Sequence, residues 1–223
     1  MEIRTMHLLQ ALARRLLPVA VAFVSVLSMT AAAQSGGVEE GREYLRLKNP
    51  QPTETGKKIE VIEFFSYGCP HCADLEPILQ NWMKTMPADV QIRRVPVMYQ
   101  DRWIPLAKIY YTLEALGEEK RLSPEVFSAL HSKGVSLWQD KTFFDWAASQ
   151  GLDRKKVEDM YGSFAITGKV NRARAAAGTY QVQSVPTFIV DGKFATYKVA
   201  SHQAMPAALD AMIAKARAEH PKT

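Results

Sequence analysis

The chain is predicted to be an α/β sandwich: a βαβ unit, a long helical stretch, then a β-hairpin and a closing helix. Three features carry that expectation. Two β-branched segments, Ile59–Phe65 and Val90–Val97, flank a run with apolar residues at three- and four-residue spacing. That order makes the two strands parallel. Asp191-Gly192 sits between two further short apolar runs, a strong local hairpin signal. Between these parts, from Asp101 to Tyr180, the periodicity is helical.

The bulk numbers are those of a globular protein. The 223 residues are 47% hydrophobic and 23% charged, with a formal net charge of +5. Such a length fits one domain with a sizeable insertion, or two small ones. Basic residues are scattered among acids, so no nucleic-acid partner is expected.

The N-terminus stands apart. Arg4, Arg14 and Arg15 precede an apolar segment from Leu16 to Met29, and Ala31-Ala32-Ala33 follows. These are the three parts of a secretory signal, with cleavage expected after Ala33. The apolar segment is shorter than the ~20 residues a spanning helix needs, although an uncleaved anchor stays open. No cysteine lies at the cleavage point, so no lipid anchor is expected. Export into a bacterial periplasm is the expected localisation.

The elements follow in order. Residues 34–58, with Gly36-Gly37, Pro50 and Pro52, read as an irregular lead-in. Ile59–Phe65 is apolar on both faces except for Glu60 and Glu63, as befits a central strand covered on both sides. From Pro70 to Met86 a helix is expected, with Pro77 predicting a kink and Pro87 stopping it. Further helices are expected over Leu106–Leu116, from Ser123 as N-cap with Pro124 at the first position, over Phe143–Ser149, from the cap Asp153 to Tyr161, and over Thr167–Tyr180. Thr187–Val190 and Lys193–Lys198 make the hairpin, and Pro206–Ala218 the closing helix.

The only two cysteines, Cys69 and Cys72, stand where the first strand hands over to the first helix. In an oxidising compartment such a pair is expected to form a disulfide. A structural staple gains most by closing a long loop, and C-x2-C closes almost none. Residues i and i+3 at a helix start share one face, so the sulfurs can meet. The helix N-terminus favours a Cys69 thiolate, and His71 adds positive charge or a hydrogen bond. A low-pKa Cys69 is an effective attacker and leaving group, and the deeper Cys72 is the resolving thiol. A zinc site needs about four ligands. No second Cys/His pair accompanies the cysteines, so no metal is expected. His131 and His202 are read as ordinary surface or half-buried histidines, and Glu76 as a solvated residue of the helix face.

Glu63-Phe64-Phe65-Ser66 followed by Cys69-Pro70-His71-Cys72 closely resembles the DsbA family of bacterial periplasmic thiol–disulfide oxidoreductases. The helical insertion and the ending Val185-Pro186, strand, hairpin and helix match that family's layout across essentially the whole mature chain. The resemblance implies a thioredoxin-like fold with a helical domain inserted after the first βαβ unit. Its expected parts are a signal peptide over 1–33, a thioredoxin-like domain over 34–101 and 173–223, and a helical insertion over 102–172. It also implies that Val185-Pro186 is a cis-proline loop beside the dithiol, pairing with an extended substrate segment. From spacing alone a trans bond opening a strand is the commoner case. A buried Glu63 near Cys72 would have a raised pKa and help to move the proton of the resolving thiol.

The activity so implied is oxidation of dithiols in unfolded or newly exported cysteine-containing proteins. Reoxidation falls to a DsbB-like quinone-linked membrane protein. No cofactor is expected, because the cysteines carry the electrons, and the protein is expected to be a monomer. An isomerase or reductase on the same scaffold is one alternative. Known periplasmic isomerases of similar fold carry an N-terminal dimerisation domain, and the about 25 residues between signal and first strand are too few for one. A peptide-binding module with a merely structural disulfide is the other.

Overall fold

The computed structural model describes residues 37–219, so the expected signal peptide and His7 and His220 lie outside the described residues. Within them the first strand is a surprise. Tyr44–Arg46 (β1) pairs antiparallel with Phe194–Thr196 (β5), where the sequence suggested only an irregular lead-in. Three residues are too short for an alternation pattern to show, and their pairing depends on a partner some 150 residues away.

The remaining strands are Ile59–Phe65 (β2), Val90–Pro96 (β3) and Thr187–Val190 (β4). Among the described residues they form one sheet in the order β1-β5-β4-β2-β3. β2 and β3 are parallel, and β2–β4 and β4–β5 are antiparallel. Asp191 and Gly192, at φ 54° and 61°, turn the hairpin, and Lys193 N–H donates to Val190 O at 3.0 Å. A Cβ on Gly192 would also come within 2.0 Å of Gln51 O, so two constraints require glycine there.

β2 is buried at every position. Ile59 and Val61 pack with Leu75, Leu79, Trp82, Leu209 and Met212 on one face. Ile62 and Phe64 join a second core on the other face, with the helices that follow β3. Burial on both faces explains why the strand reads as a near-continuous apolar run.

The first helix, Pro70–Lys84 (α1), contains Pro77 and continues through it as one element. Between β3 and β4 lie Trp103–Ala115 (α2), Glu119–Phe127 (α3), a π-helical turn at Ser128–Ser132, Asp140–Ser149 (α4), Arg154–Tyr161 (α5) and Phe164–Thr179 (α6). Asp153 caps α5 as expected, accepting from Lys156 N–H at 2.9 Å. Four helix starts differ from the sequence reading, and α2 and α4 each begin three residues early, at Trp103 and Asp140. α3 begins at Glu119 and carries Ser123 and Pro124 inside it, because Ser123 is fully buried and its hydroxyl bonds to side chains. α6 begins three residues early, since Ser163 accepts from Ile166 N–H and caps it. Met205–Glu219 (α7) closes the chain and lies on β2, β4 and α1. No helix of the described residues is long and apolar enough to cross a membrane.

Candidate active site at the strand-to-helix turn

The turn after β2 is built by Ser66. Its carbonyl accepts from Cys69 N–H at 3.0 Å and its hydroxyl from Gly68 N–H at 3.1 Å. Gly68 lies against the Trp103 indole, so near that a Cβ would stand 2.4 Å from Nε1. Cys69 then takes the N-cap position of α1 with extended backbone, and Pro70 opens the helix. Proline fits there because its missing N–H has no helical partner to lose.

Both cysteines are free thiols and buried, Cys69 at 6% exposure and Cys72 at 1%. Their environments push them apart. The hydrogen bond from Cys72, then the Cys72 and His71 backbone N–H groups and the charge of His71, bring Cys69 down to about 6 against partial burial. Burial pushes Cys72 far above the thiol range, and the charges of Cys69 and Glu63 add to it. At neutral pH Cys69 is the thiolate and Cys72 the thiol, the division of labour the helix start suggests.

Val185 and Pro186 come to the same place. Their peptide bond is cis, and the Cys69 thiol lies 3.5 Å from Val185 O. His71 stacks at a tilt on His202, with ring centroids 5.8 Å apart. His202 is half-buried, and its ring contact with His71 places it beside the site. No periodicity or spacing in the sequence links it to Cys69, because packing of the turn before α7 on α1 brings it there.

Beneath Cys72 lies a buried charge cluster. Glu63 is 1% exposed, and its register partner across the parallel β2–β3 pair is Arg94. Arg94 Nε donates to Glu63 Oε2 at 2.5 Å and Nη2 to Glu76 Oε2 at 2.7 Å. Its Nη1 also reaches Glu119 Oε1 at 3.4 Å, while the guanidinium sits over the Phe65 ring. Burial raises Glu63 to about 7, against the opposing charge of Arg94 and with that of Glu76. Glu76 is thus no solvated helix-face residue. It is 3% exposed, one turn beyond Cys72 on the buried stripe of α1, where Arg94 neutralises it. Arg94 had a legible signal in its register with Glu63, once a parallel pair was expected.

The cluster continues into the inserted helices. Glu119 Oε1 accepts from Ser123 Oγ at 3.1 Å, and Ser123 shares a 2.6 Å hydrogen bond with the Tyr67 hydroxyl. His131 donates from Nε2 to Tyr67 O at 2.7 Å and so steadies the turn before Cys69. Among the described residues no group of three or more His, Cys, Asp or Glu side chains could hold a metal.

Comparison with known proteins agrees with this construction. A family model described as "DSBA-like thioredoxin domain" matches residues 89–212, a span that starts after the cysteine pair. The thiol:disulfide interchange protein DsbA of Bordetella parapertussis is 38% identical over 179 residues, 80% of this chain and 85% of that protein. The protein of the same name from Pseudomonas aeruginosa is 38% identical over 174 residues, 78% of this chain and 82% of that one. The crystal structure of Pseudomonas aeruginosa DsbA superposes with a TM-score of 0.75 at 36% identity, covering 80% of this chain and 94% of that chain.

Proposed function

The chain belongs to the DsbA family of thioredoxin-like thiol:disulfide oxidoreductases, and on that premise we propose that it oxidises dithiols of exported proteins in the periplasm through Cys69 and Cys72. The observation that carries this reading is the split between the two sulfurs: Cys69 is brought to about 6 beside Val185, and Cys72 is held protonated by burial.

In the oxidised enzyme a substrate thiolate attacks Cys69 Sγ. The Cys69–Cys72 bond breaks, a Cys69–substrate disulfide forms, and the electron pair leaves on Cys72. That sulfur takes a proton, and Glu63, poised near 7 and electrostatically felt at Cys72, is the group to supply it. A second substrate thiolate then attacks the substrate sulfur of the mixed disulfide. Cys69 leaves as a thiolate, the substrate gains its disulfide, and the enzyme keeps two electrons as its dithiol. Stabilising that thiolate favours the reduced enzyme and makes the disulfide a strong oxidant.

Val185 and cis Pro186 offer the backbone edge on which an extended substrate segment pairs, and His71 contributes to the Cys69 thiolate. Residues 34–101 and 173–223 carry the chemistry in this reading, and 102–172 form the helical cover. Reoxidation passes the two electrons to a DsbB-like quinone-linked membrane protein, and the enzyme works as a monomer.

The test is transfer of the disulfide. Oxidised protein, mixed with a reduced unfolded protein bearing two cysteines, yields one substrate disulfide per enzyme dithiol formed. Cys69→Ser abolishes this transfer. Retention of full activity by Cys69→Ser identifies a binding module and contradicts the proposal.

A further inference from the structure

Two grooves flank α1. The groove on the cis-bond side, ≈ 540 Å³, is lined by His71, Val185, Lys198 and His202 among others, and by no Asp or Glu. The groove on the other side of the helix is lined by Asp74, by Glu76 in its ion pair with Arg94, and by His131 among others. The first groove reaches the reacting sulfur, since Val185 O stands 3.5 Å from the Cys69 thiol.

Its basic side chains each rest on a neighbouring ring. His202 opens a short 3-10 turn whose Ala204 N–H donates to Ser201 Oγ at 3.2 Å, and its ring rests against His71. Lys198 has φ 45°, a left-handed conformation that a non-glycine residue rarely adopts, and its ammonium lies 4.8 Å from the Tyr197 ring centroid. Among the described residues none of these three side chains has a carboxylate partner.

We propose that this groove selects substrate segments that carry a carboxylate side chain beside the reacting cysteine, with Lys198, His202 and His71 as the recognising groups. The inference rests on the thiol–disulfide exchange reading of Cys69. A segment whose sulfur joins Cys69 and whose backbone pairs at Val185 must pass over this groove. A carboxylate there meets one permanent cation and two imidazoles, each of which offers a ring N–H. A lysine at the same place meets like charge, and a neutral side chain leaves the cation to water.

The experiment uses the oxidised protein and three single-cysteine peptides whose cysteine is flanked on both sides by Glu, Gln or Lys. Each rate constant is divided by the same peptide's rate with hydroxyethyl disulfide, which removes differences in intrinsic thiol reactivity. The normalised Glu/Gln ratio is expected to be about three- to tenfold, what one or two exposed ion pairs supply, with Lys slowest. It falls to near one in the double variant Lys198→Gln, His202→Gln. In the unaltered protein it falls likewise at 1 M salt, where the Debye length is about 3 Å. A ratio of one in the unaltered protein at low salt overturns the specificity while a reactive Gln peptide leaves the exchange reading intact. Persistence of the preference in the double variant also overturns it. Failure of all three peptides to react overturns the exchange reading and the specificity with it.

Discussion

Arg94 Nε donates to Glu63 Oε2 at 2.5 Å from the paired position of the neighbouring parallel strand. The guanidinium also serves Glu76 and Glu119, so three carboxylates share one buried cation beneath the dithiol. Such an arrangement is costly to desolvate, and it leaves Glu63 near 7, able to give or take a proton at neutral pH.

Removing the cation is therefore expected to be severe. Arg94→Met leaves buried carboxylates without their partner, and a loss of about 3–5 kcal/mol is expected from urea unfolding at pH 7. Most of that loss is recovered at acidic pH, where the carboxyls are neutral. A variant as stable as the parent at pH 7 contradicts the role of the cluster.

The Cys69 thiolate is held first by the hydrogen bond from Cys72. Titration of the reduced protein by ultraviolet thiolate absorbance is expected to show one midpoint near 6. Cys72→Ala moves that midpoint upward. An unmoved midpoint assigns the stabilisation to the helix start and His71 alone.

The same shift makes stability depend on pH and redox state together. Native Cys69 loses its proton near 6, against an ordinary thiol value of 9.0 in the unfolded chain. Between these values the unfolded reduced chain binds more protons than the native one, so stability of the reduced form rises with pH. That contribution is fully present above 9 and is lost as pH falls through 6. Oxidised protein lacks the thiols. The stability of reduced minus oxidised protein is thus expected to grow between pH 6 and 9. A flat difference contradicts the stabilised thiolate.

The turn before Cys69 leaves no room for a side chain. Gly68→Ala drives its Cβ into Trp103, and a loss of about 1–3 kcal/mol, typical of overpacking, is expected by chemical unfolding. A changed tryptophan fluorescence accompanies it. An unaffected variant means that Trp103 moves freely aside.

Much of this was legible in the sequence where local chemistry decides it. β2 begins and ends where its apolar run does, Asp191-Gly192 makes the hairpin, and Asp153 caps its helix. Cys69 and Cys72 declare the dithiol through spacing alone. What stayed hidden depends on distant partners. β1 exists only through β5, and Glu76 is buried only because Arg94 reaches it from β3. Ser123 looked like a cap because its neighbour is proline, but Tyr67 and Glu119 claim its hydroxyl. His202 reaches His71 only through tertiary packing.

The central claim is that the Cys69–Cys72 pair is an oxidant because its reduced form is stabilised. Equilibration of the protein against mixtures of reduced and oxidised glutathione, with the redox state of the pair read by thiol alkylation, tests it most directly. The expected result is a disulfide largely reduced by a modest proportion of reduced glutathione. A disulfide that persists in strongly reducing mixtures, as in a reducing thioredoxin, would contradict it.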